Sequence, residues 1–92
     1  MRATVVGLVT PHLLRVVDLA NEAQKGVKVD WHLRDAVTTS MAEMADQFNA
    51  SALMTAYIDG LESVASQAPA ARTDYLRALQ SAAEAARSLR RD

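Results

Sequence analysis

The chain has 92 residues, half of them hydrophobic, with 10 Lys and Arg set against 11 Asp and Glu for a formal charge of −1. That length sets a single domain, and the charge balance excludes both a polybasic nucleic-acid arm and an acidic solvating tail. There is no cysteine, which excludes disulfide scaffolds and Cys-ligated zinc, and no apolar run reaches the roughly 18 residues of a bilayer span.

Eighteen residues are alanine and only Trp31, Phe48, Tyr57 and Tyr75 are aromatic. Large side chains are therefore scarce, and a chain of this mass buries only about 64 % of its unfolded surface by area scaling. Self-association or docking onto a larger protein adds the missing area, so a homodimer or an adaptor is expected. The richness in alanine and arginine points to a GC-rich bacterium or its phage.

Residues 1–9, MRATVVGLV, hold one positive charge and a short apolar run. Pro11, His12 and Arg15 break that run, and no small-residue cleavage site follows it. A secretory signal is thus not expected, and the expected compartment is the cytoplasm. Pro11 disfavours helical geometry at Thr10, so 1–9 reads as a separate arm: a short helix or an ordered extended segment.

Thr10-Pro11 makes a helix start, and Gly26 a stop, which predicts a helix over 10–25. Its polar residues Arg15, Asp18, Glu22 and Lys25 form one stripe, while Leu13, Leu14, Val16, Val17, Leu19, Ala20 and Ala23 are apolar. A helix apolar over so much of its girth is central in the fold or shared with a partner. Asp30 is the expected cap of a second helix over 30–48, with a seam of Leu33, Val37, Met41, Met44 and Phe48. The six-residue step from Phe48 to Met54 breaks the rhythm, which favours a stop and a third helix over 51–68. Its stripe is Met54, Tyr57, Ile58, Leu61, Val64, Ala65 and Ala68. Pro69 ends it. A fourth helix over 70–90 carries Tyr75, Leu76, Leu79, Ala82, Ala83, Ala86 and Leu89 on one side, with arginines near its C-terminal end suiting the helix dipole. The expected fold is all-α: a small bundle or orthogonal array of about four helices.

Catalytic signatures are sparse. The chain has no G-x-S-x-G elbow, no Gly-rich phosphate loop and no Glu-x-x-His pair of the di-metal bundles. His32 is followed by Leu33, Arg34 and Asp35, without the cation that would hold a phosphoryl group. No enzyme activity, cofactor or metal is expected.

Residues 44–51 resemble the first helix and turn of a helix-turn-helix, and 57–60 the end of its recognition helix. The likeness covers about 17 residues, one short of the usual spacing. Such a recognition helix, 51–62, would contain no Lys or Arg and two acids, Asp59 and Glu62, whereas phosphate neutralisation and base reading need cations and amides. A small transcriptional regulator is the alternative, and it would need Arg34, Arg72 and Arg77 for nucleic acid.

The leading expectation is a non-enzymatic protein-binding module of regulator, inhibitor, immunity, antitoxin or chaperone type. Trp31 and Arg34 are its expected anchors, because Trp and Arg are enriched where truncation costs most binding energy. Leu14, Val17, Met41 and Met54 are the expected apolar contacts, the thioethers suiting an adaptable surface. The arginines at 87, 90 and 91 are read as a solvated basic end.

Overall fold

The structure, a computed structural model, describes residues 4–90. Four helices account for most of them: α1 (Val5–Gln24), α2 (Asp30–Ala45), α3 (Ala50–Gln67) and α4 (Thr73–Leu89). Short turns join them, and the described residues contain no strand.

The chain runs up, down, up, down. His12 of α1 meets Ser40 of α2, while Leu8 lies beside Met44, so these two helices are antiparallel. Leu8 lies beside Leu53 and His12 against Tyr57, so α1 and α3 run parallel. The end of α1 meets the start of α4 through Asn21–Arg72 and Gln24–Tyr75. Helices α1, α3 and α4 pack mutually, and α2 leans chiefly on α4. Helix α1 therefore touches every other element, which accounts for its apolar girth: Val16 and Ala20 are buried, and Leu13, Val17 and Leu19 are half-buried against the core.

The expected boundary at Thr10 is corrected. Helix α1 starts at Val5, capped by Thr4, whose Oγ1 accepts the Gly7 amide at 3.0 Å, and it passes straight through Pro11. Residues 1–3 of the expected arm lie outside the described residues. An interior proline leaves the carbonyl four residues back without its donor, at a cost of about 3 kcal/mol. Here that carbonyl belongs to Gly7. The Thr10 hydroxyl donates to the Val6 carbonyl at 2.7 Å and braces the same turn. Val9 and Val16, one on each side of the proline, are buried. Each such side chain contributes about 1.5–3 kcal/mol, enough to hold the helix continuous where local preference alone would divide it.

At its other end α1 stops at Gly26, whose φ of 94° suits glycine alone at low cost. The Val27 amide donates to the Glu22 carbonyl and the Gly26 amide to that of Ala23, which satisfies two of the helix's free acceptors. Helix α2 begins at Asp30, which sits inside the first turn rather than capping it; Val29 holds the cap position with no side-chain bond. The acid still favours the positive pole there.

The helix also ends three residues before the expected limit, and this relocates Phe48. The seam of Leu33, Val37, Met41 and Met44 is buried, but Phe48 lies in the turn beyond Ala45 and is fully exposed. Helical spacing predicts a shared face only while the helix continues. Helix α3 buries Leu53, Tyr57, Ile58, Leu61 and Ala65, and Met54 and Val64 are half-buried beside them. Gly60 seats α1 against this helix: a Cβ there would lie 2.7 Å from a Leu13 methyl carbon. In α4 the buried face is Tyr75, Ala78, Leu79, Ala82, Ala83 and Ala86. Leu89, expected on that face, is half-exposed at the last position. No side chain caps the start of α4 from Arg72, but Gln24 Oε1 of α1 accepts the Tyr75 amide at 3.0 Å and takes that role across the fold.

Candidate functional site

Two features stand out from the packed background: a buried polar cluster linking three helices, and a set of large apolar side chains left in water.

The cluster centres on His12, whose side chain is 15 % exposed. Its Nδ1 lies 2.8 Å from the hydroxyl of Ser40, and its Nε2 lies 3.8 Å from a Glu43 carboxylate oxygen. A carboxylate is acceptor-only, so it favours the proton on Nε2, and Nδ1 then accepts from the Ser40 hydroxyl. The ring also stands edge-on to Tyr57 of α3, with centroids 6.3 Å apart. Hydroxyl, imidazole and carboxylate in line resemble a nucleophilic relay. Ser40, however, is 0 % exposed, and no substrate atom reaches its oxygen. What the arrangement does is tie α2 to α1 with a polar bond inside an apolar seam.

The Tyr57 hydroxyl is buried and makes no hydrogen bond of good geometry. Burial pushes its pKa up to about 12, opposed in part by the Ser40 hydroxyl and the Arg15 charge. An unfolded tyrosine ionises near 10. Between about pH 10 and 12 the unfolded chain therefore binds fewer protons than the folded one, and stability falls as pH rises. Tyr57→Phe removes this loss, so its alkaline unfolding limb is expected to be shallower. At neutral pH its stability is expected to be unchanged or raised by up to about 1 kcal/mol, because an unsatisfied buried group is removed. Urea unfolding at several pH values checks both, and a loss above about 1 kcal/mol at pH 7 would show that the hydroxyl has a partner.

The sequence carries one signal for this cluster. Ser40 stands three residues after Val37 and four before Met44, on the buried stripe of α2. A polar residue at such a position needs a partner.

The residues expected to bind protein divide into two groups. Trp31, Arg34 and Leu14 are exposed. Met41 is buried in the core, and Val17 and Met54 are half-buried against it. The reason is the central place of α1 and the inward seam of α2, which cover these three within the chain. Of the arginines required by the nucleic-acid alternative, Arg34 and Arg77 both border the α2–α4 groove at Asp30, Leu33 and Ser81, while Arg72 turns toward α1. Arg72 donates to Asn21 Oδ1 at 2.7 Å and stacks 4.1 Å over the Tyr75 ring. Arg77 lies 4.0 Å from Asp74, and Arg34 stands on α2. The exposed positions of α3 from Ser51 to Glu62 are Ser51, Ala52, Thr55, Asp59 and Glu62, with no cation among them. At the end of α4, Arg87 pairs with Glu62, and Arg90 reaches the Ser51 hydroxyl at 3.2 Å.

Apart from Leu14, midway along α1, the exposed large apolar residues stand at the two ends of the bundle. Val6, Leu8, Phe48 and Leu89 stand at the end formed by the start of α1, the α2–α3 turn and the close of α4, while Val27 and Trp31 stand at the opposite end. Beside Phe48 is a cleft of about 160 Å³ lined by Leu8, His12, Glu43, Met44, Gln47 and Leu53. Among the described residues no three His, Asp or Glu side chains are grouped to hold a metal ion, and no helix is long and apolar enough to cross a membrane.

Fold and surface together define an up-down-up-down four-helix bundle with an apolar end. Compared with protein-family models, curated proteins and solved structures, the chain matches none.

Proposed function

We propose that this protein is a non-catalytic module that binds another protein through the bundle end carrying Phe48. The observation that carries this reading is the full exposure of Phe48, in a chain with only four aromatic residues. A phenylalanine left in water forgoes about 1.5–3 kcal/mol of burial, and Val6, Leu8 and Leu89 add apolar area at the same end. Aromatic anchors surrounded by smaller apolar contacts are the usual centre of a protein interface.

Because Phe48 packs against nothing, Phe48→Ser is expected to leave helical content and thermal midpoint unchanged. It should weaken partner capture by about 30-fold, the equivalent of roughly 2 kcal/mol. The measurement is quantitative co-purification from the native host beside circular dichroism, with light scattering to reveal a second copy of this chain as the partner. Undiminished capture by the variant would overturn the reading. Trp31→Ala is the matching arm for the opposite end, and loss of capture in that variant alone would move the interface there.

A further inference from the structure

We propose that residues 5–10, the part of α1 before Pro11, form a strap that opens as a unit about the proline while the rest of the bundle stays folded. The inference stands on the fold alone and holds whether or not the Phe48 end binds protein.

The two parts of α1 differ in what holds them. Beyond Pro11, Val16 and Ala20 are buried, and His12, Asn21 and Gln24 each bond to a residue of α2 or at the start of α4. Before it, Val9 is the one buried side chain, Val5 is half-buried, and positions 6, 7, 8 and 10 are exposed. The side-chain hydrogen bonds recorded there close within the segment and its cap. Thr4 Oγ1 accepts from the Gly7 amide, and the Thr10 hydroxyl donates to the Val6 carbonyl. These bonds keep the segment helical without tying it to α2 or α3. Pro11 also weakens the joint between the two parts, because it offers the Gly7 carbonyl no amide and its ring crowds the preceding turn. Gly7 lowers the helix preference of the same stretch. A segment with one buried anchor, internal bonds and a weak joint lies at the low-stability end of a fold.

Opening has a definite consequence for the surface. Leu8 is one wall of the cleft that Met44 and Leu53 also line, and both of these are buried. Lifting the strap removes that wall and uncovers the two side chains, which flank Phe48 in the chain. The bundle end then has a closed form, that of this structure, and an open form with more apolar surface.

The chain has no cysteine, so a single introduced thiol reports opening without background. Val9→Cys and Val16→Cys place it at buried positions on the two sides of the proline, and cysteine packs as a small hydrophobe. Circular dichroism establishes that each variant is folded. With an excess of a thiol reagent, Val9→Cys is expected to react at least about 30-fold faster than Val16→Cys, which should react only through global unfolding. The urea dependence at Val9→Cys should be less than about half as steep, because less surface is exposed. Adding Pro11→Ala should slow the Val9→Cys reaction at least about fivefold, since the joint regains its amide. Amide hydrogen exchange of the unsubstituted chain is the second measurement and involves no change of packing at Val9. The amides of Leu8, Val9 and Thr10 should share one shallow urea dependence, while those of Val16 and Ala20 should follow global unfolding. Equal rates for the two thiols, or exchange at Val9 as steep in urea as global unfolding, would overturn the strap. A gradient of protection from Leu8 to Thr10 would mark residue-by-residue fraying and overturn it too, and a Val9→Cys rate indifferent to Pro11→Ala would overturn the proline as its joint.

Discussion

Leu79→Ala is expected to lower the unfolding free energy by about 3 kcal/mol, within the range of roughly 2–5 found for buried leucines. Leu79 is 0 % exposed, and apart from Tyr75 the buried residues beside it on α4 are all alanines: Ala78, Ala82, Ala83 and Ala86. Alanine has no rotamer with which to fill the cavity, so the loss does not relax toward the low end. A domain this small is expected near the lower limit of the usual stability of about 5–15 kcal/mol, and the substitution should remove more than half of it. The thermal midpoint should fall by roughly 15 °C. Leu89→Ala is the control: half-exposed at the end of the same helix, it should cost less than about 0.5 kcal/mol. Urea unfolding followed by circular dichroism measures both. A loss below about 1 kcal/mol for Leu79→Ala would mean that α4 is not seated on the core as described.

The contrast between these two leucines shows how far periodicity reaches. Residues 75, 79, 82, 86 and 89 fall on one stripe, and the stripe is real through Ala86. At Leu89 the helix runs past the elements it packs on, and the same spacing points to solvent. Phe48 fails for the related reason that its helix has already ended. The all-α class and four-helix order were legible, because Gly26, the 48-to-54 break and Pro69 are local signals with local consequences. The breadth of α1 was legible only as a pair of alternatives: a helix central to its own chain and a helix shared with a partner bury the same residues. The structure accounts for Val17, Met41 and Met54 within the chain. The polar cluster required a contact between His12 and Ser40, 28 positions apart, which no local window contains, although Ser40 on an apolar stripe marked one half of it. The cleft is harder still to read, since Leu8, Met44 and Leu53 come from three helices whose meeting depends on the whole bundle.

Pro11→Ala is expected to stabilise the protein by about 1–2 kcal/mol. Proline was the local signal that misled, and its cost remains in the folded chain. The ring is exposed, so its removal sacrifices little packing. The new amide at position 11 would supply the donor that the Gly7 carbonyl lacks and recover much of the roughly 3 kcal/mol cost of an interior proline. Opposing this, the unfolded chain gains freedom when proline is lost, which costs about 0.4–1 kcal/mol. The difference sets the expected gain. It should be localised: amide hydrogen exchange across the first two turns of α1 should slow, because these turns are joined to the rest of the helix through the weakened position. Exchange around Ser40 should change little, as the bond from its hydroxyl to His12 lies on the other side of the proline. The alternative outcome is equally specific. If Pro11→Ala lowers the thermal midpoint, the backbone geometry fixed by the ring is what brings Val9 into the core and His12 onto Ser40. The proline would then set the geometry of α1 rather than being tolerated within it.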